Sequence, residues 1–161
     1  MSRNKKSGQI WISAILFMSL GIIVISLILA AAIPMINRIS DKNTLVSTKE
    51  IMLKIDDTIK TVANEGPGSQ RRLDPLVIDK GELTIINGTY YFEWMMETES
   101  ELMTKDIEIV EGSLHQKLNT TFVEEVNRMI VWVTSNRINI TLISKFTSPF
   151  KGEYAVSIRH T

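Results

Sequence analysis

Cysteine is absent from this chain, so disulfides, thiolate metal sites and a cysteine nucleophile are all excluded. That absence leaves the compartment open, because not every exported protein uses disulfides. Histidine is scarce: His115 and His160 are the two present, far apart and without the spacing of a ligand pair. "GPGSQRR" lacks both the Lys-Ser/Thr ending of a phosphate loop and a strand before it. No G-x-S-x-G nucleophile motif occurs. Nor do lysine and arginine cluster as a duplex-binding surface requires, so nucleic acid is not an expected partner. Asp56-Asp57 and Glu124-Glu125 are adjacent acids expected at the surface, with no pocket or motif for acid–base work. Met95, Met96 and Met103 are soft thioethers of a kind that suits Cu(I), but methionine is ordinary packing filler. No metal, no cofactor and no enzymatic activity are expected.

The most informative absence is of charge. Residues 9–36 contain no Asp, Glu, Lys or Arg, and Ile, Leu, Val and Phe dominate them. About twenty apolar residues span a bilayer's hydrocarbon, and this run is longer. Each central Ile, Leu, Val or Phe contributes roughly −0.3 to −0.6 kcal/mol to insertion, several kcal/mol in all. A cleaved secretory peptide has a shorter apolar region, of roughly 7 to 15 residues. A retained membrane segment is therefore expected. The chain of 161 residues balances 18 basic against 18 acidic side chains. Arg3, Lys5 and Lys6 all precede the apolar run with no acid among them, which leaves the remainder mildly acidic. By the positive-inside rule these cations hold the N-terminus in the cytoplasm and send the C-terminal part outside. Ser19, Ser26 and Ala30 share one helical face, small enough to let another helix approach. Trp11 could anchor at the interface.

Helical periodicity resumes beyond Pro34, so the proline should bend the helix rather than end it. Leu45, Met52, Ile55, Ile59 and Val62 form one face, with Thr48 filling the missing step. Lys49, Lys54, Asp57 and Lys60 fall on the other side. In "NEGPG", Gly66 suits a left-handed cap and Pro67 blocks continuation. The result would be a helix on the order of 80 Å long at 1.5 Å per residue. Strand-like runs come next. "GELTIINGTYYFEWMME" carries Asn87-Gly88, a hairpin signal, between two of them. "KDIEIVEG" alternates, with Ile107 and Ile109 on one side. "RMIVWVTSNRINITLISKF" reads as two strands around Ser135-Asn136, and "GEYAVSIRH" as the last. Residues 114–127 are ambiguous, and Arg71 and Arg72 should flank the first strand as solvated charges. Tyr90, Tyr91, Phe92 and Trp94 should divide between the two faces of one strand. The fold class is α+β: a long N-terminal helix, membrane-spanning and then amphipathic, packed on an antiparallel β-sheet.

The leader "MSRNKKSG", the charge-free segment from Gln9, its helical continuation past Pro34 and the later strands together resemble an archaeal type IV pilin-like protein with a class III signal peptide. "NEGPGSQRRLDPLVIDKGELTI" also resembles the link from helix to first hairpin in such proteins. These features span most of the chain, and the leader and helix are the diagnostic ones. The resemblance implies four segments: a basic leader (1–8), a transmembrane or filament-core helix (9–36), its amphipathic continuation (37–65) and an antiparallel extracytoplasmic β-sheet domain (66–161). It implies that a prepilin peptidase cuts between Gly8 and Gln9, leaving the apolar run attached. It further implies membrane lipid and then other pilin-like subunits as successive partners of the N-terminal helix, and a final place in a cell-surface filament. Ser7 stands where many archaeal members carry a charge. Ser13 stands at the fifth mature position, where many carry Glu to pair with a neighbour's new amine. A non-polymerising, single-pass, signal-anchored binding domain is the alternative expectation. Three sequons, at Asn87, Asn119 and Asn139, all lie beyond the anchor and are possible N-glycosylation acceptors.

Overall fold

The computed structural model describes residues 5–120, 126–144 and 146–161, with side chains from Trp11 onward. A single helix, α1 (Lys5–Glu65), precedes six strands: β1 (Gln70–Ile86), β2 (Tyr90–Thr98), β3 (Glu108–Glu111), β4 (Leu114–Thr120), β5 (Asn127–Ser135) and β6 (Phe150–Arg159). Pro34 lies inside α1 without ending it. The chain divides into two compact units, Met1–Ile39 and Ser40–Thr161.

In the second unit the strands form one sheet in the order β3-β4-β5-β2-β1-β6, and every pairing is antiparallel. The outer part of α1 packs on one face of it. Leu45, Thr48, Met52, Ile55, Ile59 and Val62 are all buried, so the face read from spacing is the face that meets the sheet. Opposite them lie Tyr90, Phe92, Trp94 and Met96 of β2, Met129, Val131 and Val133 of β5, and Leu114 and Leu118 of β4. Each of these strands shows strict alternation, as expected for a sheet with one face on the core. Burying side chains of this size contributes roughly 1.5–3 kcal/mol each. The helix end is capped as anticipated: Gly66 has φ 92°, and the Ser69 hydroxyl donates to the Val62 and Gly66 carbonyls at 2.7 and 2.8 Å.

Four expectations change. β1 starts at Gln70 and runs through Asp74-Pro75 and Lys80-Gly81, residues that resemble strand breakers. Pro75, with no N–H to give, falls in a register shift between Leu73 and Leu76, and Gly81 in a second between Ile78 and Leu83. Arg71 and Arg72 therefore sit within the strand rather than beside it, exposed and paired with Glu65 and Asp74. Residues 114–120, left ambiguous by pattern, form β4. Among the described residues 136–144 the proposed strand after Ser135-Asn136 does not form. β5 already has β4 on one side and β2 on the other, so a hairpin partner has no edge to join. Residues 136–144 instead run past the β1–β2 turn, where Gly88 N–H donates to the Ile140 carbonyl at 2.8 Å. Ile138, Ile140 and Leu142 pack against the core from there.

Candidate functional site: an uncovered apolar helix

The Trp11–Ile39 stretch of α1 is exposed along its whole length apart from half-buried Ala32. Trp11 is 72% exposed, Phe17 75%, Leu27 67% and Ile36 62%. Soluble monomers rarely leave apolar patches beyond a few hundred Å² uncovered. A helix apolar on every side is one that needs an apolar surrounding. Residues 11–36 are ~39 Å long at 1.5 Å per residue, enough to cross a hydrocarbon core of about 30 Å. Among the described residues this is the one helix long and apolar enough to do so, with mean hydropathy 2.8 over its best window. Two of its serines are compatible with that setting. The Ser19 hydroxyl donates to the Ile15 carbonyl at 2.5 Å and Ser26 to Ile22 at 2.8 Å, so neither is left unsatisfied in an apolar medium. The small face predicted at Ser19, Ser26 and Ala30 therefore presents little polarity outward.

Where α1 meets the sheet, two buried acids tie the layers together. Asp56 is 1% exposed. Its Oδ1 accepts from the Tyr90 hydroxyl at 2.5 Å, and its Oδ2 accepts from Ser113 Oγ and Lys60 Nζ, both at 2.5 Å. Burial opposes ionisation of this carboxyl, but hydrogen bonds from Lys60, Ser113 and Tyr90 outweigh it and hold its pKa below the ordinary value. Burial and then Asp56 push the Tyr90 phenol above its usual range. Asp41, 4% exposed, is held by the Lys80 ammonium and the Thr98 hydroxyl. Burial is again outweighed by those hydrogen bonds, and its pKa is lowered. A third link is exposed: Lys49 pairs with Glu111 at 2.6 Å and lowers the pKa of that carboxyl.

Asp56 was expected at the surface beside Asp57, and the structure separates the two: Asp57 is exposed and Asp56 sealed in. The cause is helical phase, since Asp56 follows Met52 by four residues and precedes Ile59 by three. That spacing was the available signal, an acid standing inside an apolar face. Asp41, four residues before Leu45, carries the same signal. Lys49 and Lys60, expected on the far side, flank the interface and bond to it. Glu124-Glu125 lie outside the described residues. The aromatic run divides between the two faces of β2, as its alternation implied. Tyr90, Phe92 and Trp94 all face the core, and Tyr91 alone turns to the opposite face, where its hydroxyl meets Glu93 at 2.5 Å.

The remaining candidates are scattered. Gly8 and Gln9 lie within the helical backbone of α1, and their side chains are outside the described residues. Asn87 is exposed in the β1–β2 turn, where its Oδ1 accepts from the Leu142 N–H at 2.5 Å. Asn139 is exposed in the irregular segment and Asn119 is half-buried at the end of β4. Met95 and Met96, adjacent on β2, point to opposite faces, and Met103 packs at the core margin. His115 stacks on Trp132 with ring centroids 5.3 Å apart and meets Glu108 at 2.6 Å. Beside α1 an open groove of about 460 Å³ is lined by Leu53, Lys54, Asp57, Thr58 and Arg71 among others, so it carries charges of both signs. No known match decides among functions. No protein-family profile, curated protein or solved structure matches this chain.

Proposed function

We propose that this protein is a structural, non-enzymatic subunit of an archaeal type IV pilus-like surface filament, a pilin or minor pilin-like chain, held in the membrane before assembly. The observation that carries this reading is the bare apolar helix joined in continuous helix to an amphipathic half clamped on a sheet. Such a helix has two suitable environments, lipid and a bundle of its own kind. Lipid and bundle are comparably apolar, so passage between them costs little and close packing decides it. The basic leader before Gly8 and the uncharged start at Gln9 supply the expected cut, on the cytoplasmic side, by a prepilin peptidase.

N-terminal sequencing of the native protein tests this directly. The mature chain should begin at Gln9, and Gly8→Trp should leave it unprocessed. A native chain still beginning at Met1 removes the pilin assignment and leaves the anchor. One observation favours the alternative, a signal-anchored domain that does not polymerise. Ser13 stands where a glutamate would pair with the neighbouring subunit's amine. Filaments containing this chain in sheared surface fractions would decide for assembly.

A further inference from the structure

Among the described residues no strand pairs with the outer side of β3 or of β6, the two edges of the sheet. All four residues of β3 are exposed, and Ile107, Ile109 and Val110 put apolar side chains along that edge, 53, 39 and 54% exposed. On β6, Tyr154, Val156 and Ile158 lie half-buried on the core side, while Ala155 and Ser157 face outward and are exposed or nearly so. Proteins ordinarily guard such edges with lysine, proline or a covering element. Neither strand contains proline, and β3 contains no lysine.

We infer that β6 of one copy of this chain pairs with β3 of the next, head to tail, so that the sheet continues from subunit to subunit. Strand direction is the first argument. Five antiparallel joints across six strands leave β3 and β6 running opposite ways. A second sheet placed alongside in the same orientation therefore presents β3 antiparallel to β6, the pairing used throughout the first. Side-chain match is the second. Ile109 shares the core-side face with Gln116, its partner on β4, and Val156 shares it with Leu73, its partner on β1. Setting Ile109 against Val156 brings Val110 to Ala155 and carries Ile107, just before β3, toward Ile158. Apolar then meets apolar on both faces of the joint, a combination that stabilises cross-strand pairs. Glu108 meets Ser157 and Glu111 meets Tyr154 in the same register. Such a contact uses two different patches, so it propagates unless the rotation closes a ring. The inference deepens the filament reading and rests on it for the open-ended outcome, while the pairing itself stands on the two edges.

Because the chain has no cysteine, disulfide trapping is unambiguous. Directly opposed residues on antiparallel strands have Cβ atoms about 4.5–5.5 Å apart, near the span a disulfide bridges. The full-length chain carrying Val110→Cys and Ala155→Cys, oxidised in its native membrane, should give a ladder of dimers, trimers and higher species on a non-reducing gel. Each single variant should stay monomeric, and a mixture of the two should stop at dimers. Ile109→Cys with Val156→Cys should repeat the ladder from the core-side face, which covers the case of a misfolded first pair. Monomer from both double variants overturns the inference, as does efficient dimerisation of Val110→Cys alone, which would mean that β3 meets β3. N-terminal sequencing of the same sample separates the two claims. A ladder built of chains beginning at Met1 keeps the edge pairing and removes the pilin reading. Filaments of chains beginning at Gln9 that give no ladder do the reverse.

Discussion

At the scale of single residues, the acids buried under α1 govern how stability depends on pH. Asp56 and Asp41 have folded-state pKa values lowered from the ordinary 3.8. Near that pH the unfolded chain therefore binds more protons than the folded one, and stability rises with pH. The contribution is fully present above about pH 4–5 and is lost as pH falls through the lowered folded-state values. The urea midpoint of the wild type should accordingly fall on acidification from about pH 5 to about pH 2.5, and part of that slope should vanish in Asp56→Asn. Asp56→Ala should cost about 3 kcal/mol at neutral pH, because Tyr90 and Ser113 lose a buried acceptor together. A variant with wild-type stability at neutral pH would contradict the role given to this carboxylate. The apolar stripe from Leu45 to Val62 was legible from spacing alone, and so was the place of these acids on it, whereas the side chains that satisfy them were not. Apart from Lys60, one turn from Asp56, their partners Lys80, Tyr90, Thr98 and Ser113 are all remote in the chain, so that burial without cost depends on donors the local sequence does not show.

At the scale of elements, β1 depends on one glycine. Gly81 has φ 80°, in the left-handed region that favours glycine. A Cβ there would stand 2.5 Å from the Met95 carbonyl oxygen and 2.7 Å from Trp94 Nε1. The indole is fixed in that position by donating to the Lys80 carbonyl at 2.9 Å. Gly81→Ala should therefore destabilise the protein by on the order of 3 kcal/mol, read as a lowered thermal midpoint with quenching of Trp94 by solvent. Gly88→Ala, with open space around its Cβ position, should cost less, since only the backbone preference opposes it. The hairpin at Asn87-Gly88 could be read locally because two residues suffice to set a tight turn. The length of β1 and the failure of a strand after Ser135 could not. Both depend on which sheet edges are occupied, a property no single segment carries.

At the scale of the whole molecule, the apolar run is long and apolar enough to anchor the chain in a membrane. A charge at its centre costs about 2.5–3.5 kcal/mol on the insertion scale. Ile22→Arg together with Ile25→Arg should therefore shift the protein from the alkali-resistant membrane fraction toward the extractable one, while the wild type stays with the membrane. Equal retention of both would mean that the segment is held by something other than its apolar character. The sheet edges set a second feature at this scale, since an even number of antiparallel strands leaves the two edge strands, β3 and β6, running in opposite directions.

By itself the sequence determined the features that composition and short-range periodicity control: a long uncharged helix, an amphipathic continuation with a known inner face, a capped end at Gly66, and a strand-rich remainder. These depend on residues within a few turns or a few pleats of one another, where local geometry is fixed by the backbone. Tertiary structure alone decided the order β3-β4-β5-β2-β1-β6, the burial of Asp41 and Asp56, and which strands were left with an open side. Each of those is settled by contacts between residues tens of positions apart, and the free energy of such contacts exists only once the layers have met.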